Sequence, residues 1–170
     1  IKDMLVAHCH CFAYTMEDLP GYNGYVGSLT LPLLSTGDIV RRPRRHSAVE
    51  CNIIDEKCRE LDVPGFKVKC PKPWTHVQNI VVAAKKDLDG NWTDSRMCID
   101  YRPINAKTKF SHYPIQRVDD YLAKAAGNSF FSKLDAQSGS SQIPIAPEDQ
   151  PKTAFWWQGV PWMYTRAPFG

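Results

Sequence analysis

One carboxylate stands out among the residues that could do chemistry, because an apolar run leads directly into it. The run Phe130–Ile145 reads FFSKLDAQSGSSQIPI and carries Asp135 at the end of its first half. Period-two alternation on both sides of Ser138 and Gly139 predicts a strand, a bend and a second strand. An acid at the end of an apolar strand costs free energy unless it is solvated, paired or bound to a cation. Asp135 is therefore either a cap of the following turn or a ligand for a hard cation.

Basic residues form a second set that could bind phosphate. The densest cluster is RRPRRH at Arg41–His46, which is either a solvated approach to a helix or a phosphate-binding surface. The apolar runs Asn79–Ala84 and Arg96–Tyr101 flank an Asp-Gly turn signal, which predicts a β-hairpin. Guanidinium groups can make paired hydrogen bonds to phosphate oxygens, and ammonium groups supply mobile point charges. The basic residues of this hairpin are Lys85, Lys86 and Arg96.

Adjacent cysteines and histidines near the start of the chain are donors of the kind that bind zinc. They are His8, Cys9, His10 and Cys11. Four adjacent residues do not easily surround one tetrahedral ion, and no second ligand pair follows at the spacing of a zinc finger. We therefore interpret them as incidental side chains of a short amphipathic helix, not as a metal site.

Several short elements must position these groups. Ser47 and Glu50 form a capping box before a helix with an apolar stripe, and Pro64-Gly65 ends it. A second helix is predicted to end at Gly127-Asn128. Further predictions are an edge strand over Leu29–Leu34, an extended Tyr113-Pro114, a helical stripe of Val118, Leu122 and Ala125, and a hairpin of Lys152–Trp157 with Trp162–Arg166 around residues 158–161. We expect Trp156, Trp157 and Trp162 to pack in the core and sheet rather than to stack on bases.

Composition limits the class of protein without identifying it. The chain has 170 residues, 43% hydrophobic and 23% charged, which is typical of one globular domain, with or without a flank. A net charge of +3 does not by itself indicate a nucleic-acid binder. No apolar run is long enough to cross a membrane and no signal peptide is visible, so we expect an intracellular protein with reduced cysteines and no membrane partner.

Several motifs occur together in an order that resembles reverse transcriptases. FSKLD leads into Ser138-Gly139, and the likeness is closest to gypsy-like LTR retrotransposons. It is close from about Arg41 to the end and weak in the N-terminal flank. The remaining motifs are RMCIDYRPIN at Arg96–Asn105, YPIQRVDDYL at Tyr113–Leu122, QIPIAPED at Gln142–Asp149, KTAF at Lys152–Phe155 and RAPFG at Arg166–Gly170.

The resemblance implies an α+β fold, with the fingers and partial palm of a right-hand polymerase. It places a connector flank at 1–40, fingers at 41–112 and the first part of the palm at 113–170. The implied chemistry is a two-metal phosphoryl transfer, in which Asp135 is catalytic and binds Mg2+, with Mn2+ as the alternative ion. The implied nucleotide-binding residues are Lys85 or Lys86, Arg96, the backbone of Ala136 and Gln137, Ser140, Phe169 and Gly170.

Some residues depart from the family pattern or have a less specific role. Asp100 and Arg102 are expected to be scaffolding between fingers and palm, or to lie near the triphosphate or template. Ser140 stands where the family usually has a Tyr or Phe that excludes a ribose 2′-hydroxyl, so the resemblance implies weaker discrimination against ribonucleotides. Ser95 replaces an aromatic residue, and Phe66–Cys70 is more basic than usual. These departures suggest a divergent or decaying copy.

The implied function is that of an RNA-directed DNA polymerase, which adds deoxynucleotides to a primer on an RNA or DNA template. Its implied partners are template–primer nucleic acid, deoxynucleoside triphosphates and the remaining polyprotein segments, namely the rest of the palm, the thumb and RNase H. The implied location is a cytoplasmic particle or the nucleus. The sequence contains no Tyr-x-Asp-Asp, so we expect the 170-residue chain alone to be inactive. The alternative is a non-catalytic nucleic-acid-binding remnant that uses Arg41, Arg42, Arg44 and Arg45.

Overall fold

In the described part, the fold consists of short helices around small sheets, two of them antiparallel and one a parallel pair of strands. The computed structural model describes residues 2–13, 15, 18, 22, 27–62, 65–86, 89, 92–109, 114–133 and 135–169, with the backbone alone at 84–86 and 92–94. The helices are α1 (Lys2–Ala7), α2 (Ala48–Glu60), α3 (Arg102–Asn105) and α4 (Val118–Ala125), with 3-10 turns at Cys9–Cys11, Gly139–Gln142 and Gln150–Thr153. The strands are β1 (Ile39–Val40), β2 (Lys67–Lys69), β3 (His76–Val77), β4 (Ile80–Lys86), β5 (Trp92–Ile99), β6 (Phe155–Trp157) and β7 (Val160–Tyr164).

Helix α2 begins at the predicted capping box. The backbone N–H of Glu50 donates to Ser47 Oγ at 3.2 Å, and Ser47 N–H donates to Glu50 Oε2 at 2.8 Å. The hydrogen bond from the Ser47 backbone lowers the pKa of the Glu50 carboxyl. One helix face buries Ile54 and Cys58, which confirms the predicted stripe. The predicted stop at Pro64 lies outside the described residues, whereas Gly65 has a left-handed φ of +89°.

The first predicted hairpin is confirmed. Strands β4 and β5 pair antiparallel, with Ile80 opposite Ile99 and Ala83 opposite Arg96. Most of the tip, at residues 87, 88, 90 and 91, lies outside the described residues. The backbones of Lys85 and Lys86 belong to β4, and their side chains are not described.

The second predicted hairpin forms with a tighter turn than expected. Gln158 (φ +50°) and Gly159 (φ +73°) make a two-residue turn of the kind that matches strand twist, so Val160 and Pro161 belong to β7 instead. The sheet order is β2-β7-β6, all antiparallel. The tryptophans pack as predicted, since Trp157 is buried and its ring centroid lies 5.2 Å from that of Trp162, while Trp74 and Trp156 meet edge to face at 5.7 Å.

One core joins residues from both of the ranges predicted as fingers and palm. Ile54 and Ile80 belong to the first range, Phe155 and Tyr164 to the second, and all four are buried in the same cluster. Strand β2 of the first range also pairs with β7 of the second. The division at 112/113 remains a prediction, and these two ranges do not have separate cores in the described part.

The predicted strand leading to Asp135 is not present in the described residues. Residues 130–133 and 135 have no strand structure, and Phe130 and Phe131 are 95% and 71% exposed. A strand requires a neighbour that accepts and donates its ladder hydrogen bonds, and no described element offers one here.

Helix α4 precedes this run and buries none of its residues. Its predicted end is confirmed, because Gly127 adopts a left-handed φ of +83° directly after the C-cap Ala126.

The N-terminal flank is attached to both the fingers and the palm ranges, by backbone hydrogen bonds and by a carboxylate. Instead of the predicted edge strand over Leu29–Leu34, there are isolated bridges, Leu29 with Ile145 and Leu33 with Thr108. Pro32 has no N–H to donate, so a continuous ladder is interrupted. Between the bridges, Leu31 N–H donates to Asp149 Oδ2 at 2.7 Å. The predicted extended Tyr113 lies outside the described residues. Among the helices of the described part, none has the length and apolar character needed to cross a bilayer.

Candidate active site

A cavity of about 490 Å³ lies between α2, β5 and the segment that follows β7. Strand β5 contributes Arg96, and the segment after β7 contributes Arg166 and Phe169. Phe66 forms part of the opposite wall, and Lys57 lies at the α2 side. Two of the predicted nucleotide-binding residues, Arg96 and Phe169, therefore line one cavity, together with an arginine for which the sequence predicted no individual role.

Arg166 is the strongest addition that the structure makes to the site. Its guanidinium carbon lies 4.8 Å from the centroid of the Phe66 ring, and its Nη1 is buried without a hydrogen-bond partner. A buried guanidinium nitrogen without an acceptor costs free energy, and Arg166 also contributes a positive charge to the lining of the cavity. The sequence signal was present, because Arg166 opens the RAPFG motif. No spacing argument distinguished it from the other arginines.

The turn after Asp135 is fixed to the same segment. Ile145 N–H donates to Thr165 O at 2.8 Å, and Ala167 N–H donates to Ile143 O at 2.9 Å. Gly139–Gln142 form a 3-10 turn next to this ladder, and its residue Ser141 lines the cavity. The predicted gate residue Ser140 is half-buried, and its Oγ is buried without a partner.

The predicted catalytic carboxylate lies apart from the cavity lining. Asp135 is exposed and makes no ion pair within the described residues. Ala136 and Gln137 follow it at the surface, and Gln142 Nε2 donates to Gln137 O at 2.6 Å. These three residues are not among the described residues that line the cavity. Gly170 lies outside the described residues.

Asp100 and Arg102 satisfy each other. Arg102 Nε donates to Asp100 Oδ1 at 2.7 Å, and Arg102 Nη2 donates to Asp100 Oδ2 at 2.8 Å. The first of these contacts is the main reason that the pKa of the Asp100 carboxyl is lowered. The guanidinium is already bound in a two-point arrangement, which agrees with the expected scaffolding role.

The basic segment Arg41–Arg45 has a fixed backbone and exposed side chains. Trp156 Nε1 donates to Arg41 O at 2.7 Å. Asn79 Nδ2 donates to Arg42 O at 3.0 Å, and Arg44 N–H donates to Asn79 Oδ1 at 3.1 Å. Within the described residues the four arginines form no ion pair, and all are exposed. Fixed main chain with free guanidinium groups is a suitable arrangement for binding phosphates.

Known proteins similar to this chain were found by sequence and by structure. The chain is 28% identical over 169 residues to the retrovirus-related Pol polyprotein from transposon gypsy of Drosophila melanogaster, which covers 99% of this chain and 16% of that protein. It is 50% identical over 58 residues to an RNA-directed DNA polymerase homolog of Oenothera berteroana, covering 34% of this chain and 41% of the relative. The chain fits a gypsy-like reverse transcriptase fragment. No protein-family model matches it.

Solved structures show the same likeness at the level of the fold. The foamy viral protease-reverse transcriptase, solved in complex with an RNA/DNA hybrid, superposes with a TM-score of 0.70 at 17% identity, over 99% of this chain and 21% of that one. At that identity the superposition establishes the fold alone. The predicted fold class, the fingers and partial palm of a reverse transcriptase-like polymerase, is confirmed. The fragment spans about a sixth of the gypsy polyprotein that it matches (16%).

Proposed function

We propose that this chain supplies the residues that bind the incoming nucleotide, and the first metal-binding carboxylate, of an RNA-directed DNA polymerase. The observation that carries the proposal is the cavity shared by Arg96, Arg166 and Phe169. Two guanidinium groups and an aromatic ring suit a triphosphate and a base respectively. The relatives' names support the same chemistry, since both are Pol-type or RNA-directed DNA polymerase proteins.

The phosphates of a deoxynucleoside triphosphate would lie against the two arginines. In a partly enclosed cleft, these charges stabilise the negative charge of the phosphate oxygens more strongly than they would in bulk water. Arg166 lines the cavity and forms no ion pair within the described residues, so its charge is available to a phosphate. Lys85 or Lys86 of the hairpin would add a mobile positive charge.

Asp135 suits a hard divalent ion, and Mg2+ is the ion that we propose for it, with Mn2+ as the alternative. It offers carboxylate oxygens at the surface and is not engaged in a described ion pair. Mg2+ commonly takes one or two carboxylates and completes its shell with water and substrate phosphates. When bound, such an ion neutralises charge on the transferring phosphoryl group.

Nucleotide binding to the isolated chain tests the role of the cavity. We expect Arg166→Gln to weaken binding of a deoxynucleoside triphosphate by about tenfold or more, since hydrogen bonds to charged groups contribute about 1.5–3 kcal/mol. Arg59→Gln is the matched control, because Arg59 is an exposed arginine on α2 outside the lining. Fluorescence anisotropy with a labelled nucleotide gives both affinities. Equal affinity of the Arg166→Gln variant and the control would contradict the proposal.

Catalysis is tested in a polymerase that contains this chain together with the later palm. There Asp135→Asn should abolish primer extension and leave template–primer binding nearly unchanged, because the substitution removes an ion ligand and not a nucleic-acid contact. Extension and filter binding are measured on the same preparation. Full extension by the Asp135→Asn variant would show that Asp135 is not the carboxylate we assign.

The second candidate function, binding nucleic acid without catalysis, is favoured by the exposed basic segment Arg41–Arg45. Each phosphate neutralised releases counterions, so affinity should fall steeply with salt. Replacing Arg41, Arg42, Arg44 and Arg45 by Gln should reduce the slope of log affinity against log salt by up to about 3. The control replaces Arg59, Lys69, Lys72 and Lys124 by Gln, which changes net charge equally at other exposed positions. Equal losses in both variants would exclude a specific surface.

A further inference from the structure

The structure brings together three metal-binding side chains, although their spacing in the sequence argues against a metal site. The donor atoms of His8, His10 and Cys11 all lie within 4.8 Å of one another. Within the described part of the chain, this is the one group of three or more His, Cys, Asp or Glu donors that could hold an ion. It belongs neither to the cavity of Arg96 and Arg166 nor to the basic segment.

The backbone explains why adjacent residues converge. Helix α1 ends at Ala7, and His8 N–H still donates to Met4 O at 3.1 Å. The chain then tightens into a 3-10 turn, in which Cys11 N–H donates to His8 O at 2.9 Å. Side chains three residues apart eclipse each other in a 3-10 helix, so His8 and Cys11 lie on the same side. In a continuous α-helix the chain turns by 300° between the two residues, so their side chains would be neighbours without being aligned.

The two imidazoles are arranged so that both can turn a nitrogen to the same point. The ring centroids of His8 and His10 are 6.0 Å apart, and their planes are inclined by 54°. With zinc–nitrogen bonds of about 2.0–2.1 Å and a zinc–sulfur bond of about 2.3 Å, tetrahedral ligand atoms are about 3.3–3.6 Å apart. Each donor pair therefore needs to close by at most about 1.5 Å, which exposed side chains achieve by small rotations.

We propose that His8, His10 and Cys11 form a binding site for a borderline or soft transition-metal ion of the Zn2+ class. Two imidazole nitrogens and one thiolate match the donor preference of such ions and not that of Mg2+. Three protein ligands leave a fourth position for water or for a donor from another molecule. Cys9 lies between His8 and His10 in sequence and is not one of the three converging donors.

The experiment is a cobalt titration of the full 170-residue chain, kept reduced and freed of metal beforehand. Co2+ in a site with one thiolate gives a charge-transfer band and visible d–d bands, and Zn2+ should then displace it stoichiometrically. We expect one Co2+ per chain, and at least about tenfold weaker binding in each of His8→Ala, His10→Ala and Cys11→Ser, because loss of a direct ligand exceeds the loss from an outer-shell partner.

Control variants distinguish this site from other thiols of the chain. Cys9→Ser removes the adjacent exposed thiol and Cys51→Ser a distant exposed one, so both should keep the spectrum and the affinity. Circular dichroism of every variant separates loss of the site from loss of the fold. Absence of the charge-transfer band in the parent chain, or equal weakening in Cys9→Ser and Cys11→Ser, would overturn the proposal.

Discussion

Lys67 is a charged residue that the fold encloses almost completely. It lies on β2, its side chain is 1% exposed, and its ammonium pairs with the Asp62 carboxylate. The same ammonium lies 4.6 Å from the Trp157 ring centroid and 4.4 Å from that of Trp162. Desolvated cation–π contacts and the apolar lysine stem both stabilise such an arrangement. The basic character of Phe66–Cys70 therefore has a structural role at this position.

Substitution of Lys67 should destabilise the chain more than substitution of its neighbour. We expect Lys67→Ala to lower the free energy of unfolding by about 2 kcal/mol, from lost cation–π contacts and packing. Lys69→Ala is the control, because Lys69 is exposed and its nitrogen lies 5.8 Å from the Trp162 ring; its effect should stay within about 0.5 kcal/mol. Urea unfolding measures the free energy of unfolding of both variants. Equal losses in the two would show that the contacts of Lys67 with Trp157 and Trp162 do not stabilise the fold.

His76 gives the stability a pH dependence of known sign. Burial lowers the pKa of this imidazole from its ordinary value of 6.5, and Lys152 and Lys107 act in the same direction against Asp38. Below pH 6.5 the unfolded chain therefore binds more protons than the folded chain, so the free energy of unfolding falls as pH falls. Above pH 6.5 the effect is absent.

We expect His76→Leu to flatten this part of the pH dependence, because the variant has no imidazole to protonate. Urea unfolding of both proteins between pH 8 and pH 5 checks the prediction, since this interval lies above the ordinary values of the carboxyl groups, about 3.9–4.3. Identical slopes in the two proteins would show that another group causes the dependence.

Under the proposed nucleotide role, Ser140 stands at the position that sets discrimination between ribonucleotides and deoxynucleotides. Serine is far smaller than the Tyr or Phe of the family pattern, so it provides no ring that could clash with a 2′-hydroxyl. In a polymerase containing this chain, we expect ready incorporation of ribonucleotides and restored discrimination in Ser140→Tyr, because the larger ring builds a clash against the 2′-hydroxyl. Single-nucleotide insertion with matched ribo- and deoxynucleotides measures this. Strong preference for deoxynucleotides with Ser140 in place would place the gate elsewhere.

Helix α4 and the run after it contribute no buried residue to the core in the described part, as is also true of α1. Helix α4 buries no residue, and the apolar side chains of the run, Phe130 and Phe131, face solvent. The hairpins β4–β5 and β6–β7, in contrast, share the core. An element with few buried contacts opens locally at low free-energy cost.

Limited proteolysis should reveal this difference between elements. Chymotrypsin should cut first near Tyr121, Phe130 or Phe131, whereas Phe155 and Tyr164 should be protected by burial. Mass spectrometry of the earliest fragments identifies the sites. A first cut at Phe155 would contradict the assignment of the β6–β7 hairpin to the stable core.

At the scale of the whole molecule, the fingers range does not contain a complete core. Ile54 and Ile80 pack with Phe155 and Tyr164, and β2 pairs with β7 across about a hundred residues of chain. Residues 1–112 alone should therefore show no cooperative urea transition, whereas residues 1–170 should show one. A cooperative transition in 1–112 would establish an independent fingers domain.

The whole chain should also lack polymerase activity by itself. The proposed centre needs more than one carboxylate to hold two ions, and Asp135 is not part of any donor cluster within the described residues. Primer extension with the purified 170-residue chain, Mg2+ and four deoxynucleotides should give no product. Templated extension by a demonstrably pure preparation would contradict this expectation.

Local signals in the sequence determined the elements whose partners are close in the chain. The Ser47–Glu50 capping box, the Gly127 helix end and both hairpins depend on neighbours within a few residues, so their prediction needed no tertiary information. The order of the motifs likewise predicted the likeness to gypsy-like Pol polyproteins that the sequence comparison found, since that order is written in the sequence.

Only the tertiary structure decided features that depend on distant partners. The run before Asp135 has the alternation of a strand, yet it has no described neighbour to complete the ladder and remains exposed. Arg166 became a site residue because folding places it over Phe66, a hundred residues earlier, with one nitrogen buried and unpaired. The convergence of His8, His10 and Cys11 depends on the change from α- to 3-10 geometry, which residue spacing alone does not reveal.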